Sequence, residues 1–155
     1  MAGLLRTLLT DYQKELERHR NRPFLRATMA ACALVATADG EVTFGERIRV
    51  DQILETLEAL KVFDPHEGVN LFNEFTENTL ADPKQGRDDA IRAVQAVAGK
   101  PDTADLLIRI CLAISAAEGE RSLVTQIEIV MLCDLLEVDP KDRGLYIDES
   151  SAPLT

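Results

Sequence analysis

The chain has 155 residues, enough for one domain with a packed core, and 46% of them are hydrophobic. Its formal net charge is −10, and an acidic surface of this kind repels phosphate backbones, which argues against nucleic-acid binding. Because there is no run of about 18 apolar residues and no signal-peptide pattern, we expect no membrane span and a cytoplasmic location.

Helix start and stop signals divide the first half of the chain into four predicted helices. The first covers residues 3–19, and its apolar stripe consists of Leu4, Leu8, Tyr12 and Leu16. Asn21-Arg22-Pro23 predicts a break, after which a second, deeply buried helix runs to Asp39-Gly40. Thr43 begins the third helix, and Asp64-Pro65 begins a fourth that continues to about Leu80.

Basic residues are concentrated around the predicted break, between Lys14 and Arg26. We interpret them as a solvated helix end, since cations near a helix C-terminus suit the helix dipole. A site for an anion or a lipid is the alternative interpretation.

The second half of the chain carries three more predicted helices. Asp82-Pro83 begins the fifth, which ends near Gly99, and Lys100-Pro101 begins the sixth, which ends at Glu118-Gly119. The seventh runs from about Ser122 to Leu136, and a short turn follows at Asp139-Pro140. Strand signals are absent. The sequence therefore predicts an all-α single domain of about seven helices over residues 1–148, followed by a flexible tail, 149–155.

Three cysteines, an odd number, lie in apolar helical runs at Cys32, Cys111 and Cys133. None forms a CxxC pair or lies near a histidine. We expect buried, reduced thiols, with neither a disulfide framework nor a zinc site.

The chain resembles itself at an offset of 79 residues. Residues 32–41, Cys-Ala-Leu-Val-Ala-Thr-Ala-Asp-Gly-Glu, align with residues 111–120, Cys-Leu-Ala-Ile-Ser-Ala-Ala-Glu-Gly-Glu. The match continues past the turn, where Thr43 aligns with Ser122, and it needs no gap over about 25 residues. Helical periodicity would not repeat an acid–Gly–Glu triplet. We infer a duplicated helix–acidic turn–helix unit, about 24–61 and 103–137, with pseudo-twofold symmetry.

Each unit has a carboxylate where a helix ends. Asp39 and Glu118 lie beside the negative end of the helix dipole, which is unfavourable by roughly a few tenths of a kcal/mol. A bound cation would compensate both the carboxylate and the free helix carbonyls. The candidate metal ligands are Asp39, Glu41 and Glu46 in the first unit and Glu118 and Glu120 in the second.

Glu46 has a competing structural explanation. Thr43-x-x-Glu46 is a capping box, whose carboxylate accepts the Thr43 backbone N–H. The second unit has Thr125 at the corresponding position, so we expect its site to be weaker. The ligands are all oxygens, which favours Ca²⁺, Mg²⁺ or Mn²⁺ over zinc. The spacing excludes an EF-hand, because Val50 replaces the bidentate glutamate.

Enzyme signatures are poor. The sequence has no Gly-rich phosphate loop and no nucleophile elbow, so we expect a non-enzymatic protein. Two alternatives stay open: a protein-interaction scaffold whose acidic turns bind no metal, and an unrecognised hydrolase, which would need a carboxylate-lined pocket.

The stretch from Ala36 to Glu46, Ala-Thr-Ala-Asp-Gly-Glu-Val-Thr-Phe-Gly-Glu, resembles the motif of the TerB tellurite-resistance family. The segments 12–24 and Leu60-Lys-Val-Phe-Asp64 are also similar to this family, and the resemblance covers about residues 5 to 145. It implies a duplicated fold of about seven helices and metal chelation by Asp39, Glu46 and Glu118. It also implies a role in bacterial tellurite and stress resistance with other Ter proteins, including a membrane-bound partner that would bring the chain to the inner membrane. Glu118 and Thr125 depart from the usual Asp and Glu of the family.

Overall fold

The computed structural model describes residues 2–117, 119 and 121–143; the side chains of residues 2, 19, 142 and 143 are not described. In this part of the chain every regular element is helical, which confirms the all-α prediction. The elements are α1 (Ala2–Ala36), α2 (Phe44–Thr56), a 3₁₀ helix (Glu58–Leu60), α3 (Pro65–Ala81), α4 (Pro83–Gln95), α5 (Pro101–Ser115), α6 (Leu123–Leu135) and a second 3₁₀ helix (Pro140–Arg143).

The second half of α1 is the centre of the core. From Ala27 to Ala36 every side chain is at most 1% exposed, and α3, α4, α5 and α6 all pack against this helix. Six of these residues are alanine or cysteine, whose small side chains let neighbouring helices approach closely. Deep burial of this segment was predicted and is confirmed.

The predicted break at Asn21-Arg22-Pro23 is wrong, because α1 continues through Pro23 as one helix of 35 residues. An interior proline removes one helix hydrogen bond and costs about 3 kcal/mol. Long-range contacts hold the segment in place: Arg18 Nε donates to the Val62 carbonyl at 3.0 Å, and Arg22 pairs with Glu67. Because these contacts form only in the folded chain, the local Asn21-Arg22-Pro23 pattern wrongly predicted a break.

The basic cluster is therefore not a helix end, which corrects our first interpretation. Three of its members, Arg18, Arg22 and Arg26, lie in the middle of α1 and contact α3 or the segment that leads into it. The Arg22 guanidinium lies 5.5 Å from the Phe63 ring centroid, and that of Arg26 lies 5.0 Å from the Phe75 ring centroid. The cations thus help to dock α1 on α3.

The predicted helix starts after residue 40 are confirmed. Asp64 caps α3 by accepting the His66 N–H at 2.9 Å, and Asp82 caps α4 by accepting the Gln85 N–H at 3.3 Å. In each case proline occupies the first helical position, where its missing N–H costs nothing.

The first half of α1 lies outside this core. Residues 3–17, which we call the N-terminal arm, are all exposed, including the predicted apolar stripe. None of the described helices is long and apolar enough to cross a membrane. The domain limits 1–148 and the tail 149–155 stay predictions, and the tail lies outside the described residues.

The contact between α3 and α4 depends on a glycine. A Cβ on Gly86 would lie 2.4 Å from Thr79 Cα and 2.7 Å from the Asn78 carbonyl oxygen, and backbone atoms cannot move aside cheaply. We expect Gly86→Ala to lower the free energy of unfolding by about 1–3 kcal/mol. Guanidinium unfolding followed by circular dichroism measures this.

Gly3→Ala is the matched control, because nothing lies within 4 Å of a Cβ at this helical position. It should leave stability unchanged or raise it slightly. Equal stability of Gly86→Ala and the wild type would contradict the close approach of the two helices.

Candidate functional site

The first acidic turn connects the end of α1 to the start of α2. Gly40 has a φ of 88°, the left-handed conformation that glycine adopts without strain, and its N–H donates to the Thr37 carbonyl at 2.9 Å. Asp39 and Glu41 flank this glycine, and both are exposed. The Asp39 Oδ1 accepts the Glu41 backbone N–H at 3.2 Å. No ion pair to either carboxylate is present in the described part of the chain.

Glu46 is held as the capping residue of α2. Its Oε1 accepts the Thr43 N–H at 2.8 Å, while the Glu46 N–H donates to Thr43 Oγ1 at 3.1 Å. This reciprocal pair is the predicted capping box, and the Glu46 side chain is buried to 9% exposure. The structural explanation of Glu46 is therefore confirmed, and any role as a ligand would have to coexist with it.

The second acidic turn has the same local structure wherever the chain is described. Gly119 has a φ of 95°, and its N–H donates to the Ala116 carbonyl at 3.2 Å, as Gly40 does to Thr37. Helices α2 and α6 both have 13 residues. Their first residues, Phe44 and Leu123, are 79 residues apart, which is the offset of the sequence repeat. The candidate ligands Glu118 and Glu120 lie outside the described residues. These correspondences are local, and the duplication with its pseudo-twofold arrangement stays a prediction.

Thr125 replaces the capping glutamate in this second unit. Its N–H donates to the Ser122 Oγ at 3.2 Å, and the two hydroxyl oxygens lie 3.0 Å apart. The cap is thus preserved without a carboxylate.

An arginine that sequence reasoning missed lies at the second turn. Arg121 donates from Nη2 to the Leu112 carbonyl at 3.0 Å and from Nε to Ser115 Oγ. Its guanidinium therefore places a positive charge at the negative end of α5. The corresponding residue of the first unit is Val42, and that difference in the aligned sequences was the available signal.

The candidate ligands of the first turn differ in how well they could hold a metal ion. Among the described residues, no three His, Cys, Asp or Glu side chains are grouped closely enough to hold a metal. Asp39 and Glu41 are near neighbours, whereas the Glu46 carboxylate is directed at its own helix start. Two exposed carboxylates suit a weak, partly hydrated site of the kind that Mg²⁺ accepts, and not a closed cage.

The cysteines offer no reactive thiolate. All three are buried and free, as predicted. Burial raises the pKa of Cys32 to about 12 and that of Cys133 to about 11, and it raises the pKa of Cys111 well above its ordinary value. These thiols stay protonated at neutral pH, and a protonated thiol is a poor nucleophile or ligand.

A cleft of about 580 Å³ lies between α1, α3 and α4. Its charged lining is mixed, with three arginines and two carboxylates: Arg22, Arg26, Arg92, Glu74 and Asp89. Asp89 pairs with Arg92 at 3.4 Å. None of the lining residues belongs to an acidic turn, and the arginines outnumber the carboxylates in this cleft.

Comparisons with known proteins found a matching family model and a similar protein. The family model described as Tellurite resistance protein TerB matches residues 25–146, more than half of the chain. The Tellurium resistance protein TerB of an Alcaligenes species is 28% identical over 110 residues, covering 71% of this chain and 90% of that protein. No solved structure matches the chain. The family match includes both acidic turns and begins after the N-terminal arm.

The position of Arg121 gives a stability prediction. Arg121→Met removes a charge-assisted donor from the end of α5, and we expect the free energy of unfolding to fall by about 1–2 kcal/mol. Arg109→Met is the matched control, since Arg109 is 69% exposed and pairs with Asp105 within one helix. Its effect should stay below about 0.5 kcal/mol. Equal losses in the two variants, measured by chemical unfolding, would argue against a special role for Arg121.

Proposed function

The chain belongs to the TerB tellurite-resistance family, and from this premise we propose that it is a non-enzymatic module that binds a divalent cation at its first acidic turn. The family makes it a helical module related to tellurite resistance. The cation, its site and its consequences are our proposal. The same proposal includes other Ter proteins as partners of this chain, one of them membrane-bound.

The observation that carries the proposal is the difference between the two helix ends. The C-terminal end of α5 is compensated from within the chain, by the guanidinium of Arg121. The C-terminal end of α1 has Asp39 and Glu41 beside it and no basic side chain hydrogen-bonded to it among the described residues. The first turn is therefore the place where an external cation gains most.

The donor set indicates which cations to expect. Asp39 and Glu41 supply carboxylate oxygens, and the end of α1 supplies backbone carbonyls, all of which are hard ligands. Ca²⁺, Mg²⁺ and Mn²⁺ fit these donors better than Zn²⁺. A cation held there would neutralise both carboxylates and the partial charge of the helix end. With two exposed carboxylates, we expect a dissociation constant of about 10⁻⁴ to 10⁻³ M.

Binding at this turn would act on two helices at once. The turn joins α1, the centre of the core, to α2, which packs on α3 and α5. Residues 39–41 would carry less net negative charge when the cation is bound, which changes the surface that a partner contacts. Such a charge change is a simple way for a non-catalytic module to report a cation.

Calorimetric titration of the full chain with each cation, followed by thermal unfolding, tests the proposal. We expect Asp39→Asn to weaken binding at least about tenfold, because it removes a ligand charge. Asp88→Asn is the matched control, an exposed aspartate on α4 with the same change of charge. If wild type shows neither heat nor a thermal shift with any of the three cations, the proposal is wrong.

Glu46→Gln separates the two roles of Glu46. Glutamine can still accept the Thr43 N–H, so the capping box survives while the carboxylate charge is lost. We expect the free energy of unfolding to fall by less than about 1 kcal/mol, because only the interaction of the charge with the helix dipole is lost, and the cation affinity to fall if Glu46 joins the site. Unchanged affinity would limit Glu46 to its role as a cap.

A second candidate function is a scaffold whose acidic turns bind no metal. It is favoured by the Glu46 carboxylate, which already has its hydrogen-bond partner, and by the lack of a metal cluster among the described residues. A scaffold would keep its Ter partner in the presence of chelator, and Asp39→Asn would leave that complex intact. Loss of the complex in both conditions favours the cation-binding module.

A further inference from the structure

The N-terminal arm presents a broad apolar face to solvent. Its six large apolar side chains are between 44% and 65% exposed: Leu4, Leu5, Leu8, Leu9, Tyr12 and Leu16. At about 100° per residue, these six positions fall within an arc of about 140° on one side of the helix. A helix of this length is marginal in water unless its apolar face is covered.

The spacing within this face is that of a helix–helix seam. Leu5, Leu9, Tyr12 and Leu16 are separated by four, three and four residues, the alternation of a coiled-coil core. Leu4 and Leu8 widen the seam on one side. The partner that such a seam fits is another amphipathic helix.

The charges of the arm favour a protein partner over a lipid surface. Residues 3–17 carry two basic residues, Arg6 and Lys14, and three acidic residues, Asp11, Glu15 and Glu17. Helices that bind anionic lipids are instead rich in lysine and arginine on their polar face. The whole chain, at −10, would also be repelled by an anionic bilayer.

We propose that two copies of this chain pair through their arms as an antiparallel helix pair. In this arrangement Leu9 packs opposite Tyr12 of the second copy, and Leu5 packs opposite Leu16. The seam from Leu5 to Leu16 is about 18 Å long, with the two acidic bodies at opposite ends. That separation exceeds the Debye length of about 8 Å at physiological salt, so the bodies repel each other little.

The buried area is enough for a weak dimer. If each of the six side chains gives up on the order of 80 Å² of apolar surface, each copy buries about 500 Å². The two copies together then bury about 1,000 Å², the lower limit for a specific interface. We therefore expect a dimer that dissociates on dilution.

Sedimentation equilibrium of the full chain, from micromolar to several hundred micromolar, tests the pairing. We expect a monomer–dimer equilibrium, and Leu9→Asp should raise the dimer dissociation constant at least about 30-fold, as for a central interface residue. Leu80→Asp is the matched control, because Leu80 is 47% exposed on α3, outside the arm. It should leave the equilibrium unchanged.

Disulfide trapping tests the antiparallel order. Leu5→Cys and Leu16→Cys proteins, prepared separately and mixed under mild oxidation, should form a disulfide between unlike chains. The native cysteines are buried and do not compete. Disulfides between two Leu5→Cys chains would overturn the antiparallel arrangement.

A wild-type chain that stays monomeric at every concentration overturns the proposal. Two other occupants of the face would then be distinguished. Flotation with phosphatidylglycerol vesicles would indicate a lipid surface. Loss of helical content on removal of residues 144–155, which lie outside the described residues, would indicate that this segment covers the arm.

Discussion

Burial of one helix on all sides is the constraint on which the rest of this structure depends. The segment from Ala27 to Ala36 has no face toward solvent, so neighbours must cover its whole circumference. Its alanines keep those neighbours close, and the four helices that pack on it take their positions from that contact. Because the helix ends at the protein surface, the turn that follows is exposed, and this places Asp39 and Glu41 in water.

Local chemistry accounts for what could be predicted from sequence. The starts of α2, α3 and α4 depend on hydrogen bonds between residues two or three positions apart, such as Asp64 to His66 and Thr43 to Glu46. Both partners of each of these hydrogen bonds therefore lie within one short stretch of sequence. The continuation of α1 through Pro23 depends instead on contacts of Arg18 and Arg22 with residues more than forty positions away, which no local pattern displays.

The candidate site likewise has some features that could be predicted from the sequence and others that could not. The turn geometry, including the left-handed Gly40 and the box around Glu46, follows from adjacent residues and was predictable. The role of Arg121 was within reach, since Val42 occupies the equivalent place in the first unit. Whether carboxylates converge on a cation is a question of three-dimensional distance, and sequence spacing alone left Glu46 open between a cap and a ligand. Glu118 and Glu120, the candidate ligands of the second turn, lie outside the described residues.

The continuity of α1 has a mechanical consequence. Its 35 residues form a rod of about 50 Å, with the apolar arm at one tip and Asp39 just beyond the other. Pro23 has no N–H, so one backbone hydrogen bond of α1 is missing near the point where this helix leaves the core. The helix resists bending least at that point. The contacts of Arg18 with Val62 and of Arg22 with Glu67 brace this weak point from its N-terminal side, so the arm keeps the direction set by the buried stretch from Ala27 to Ala36.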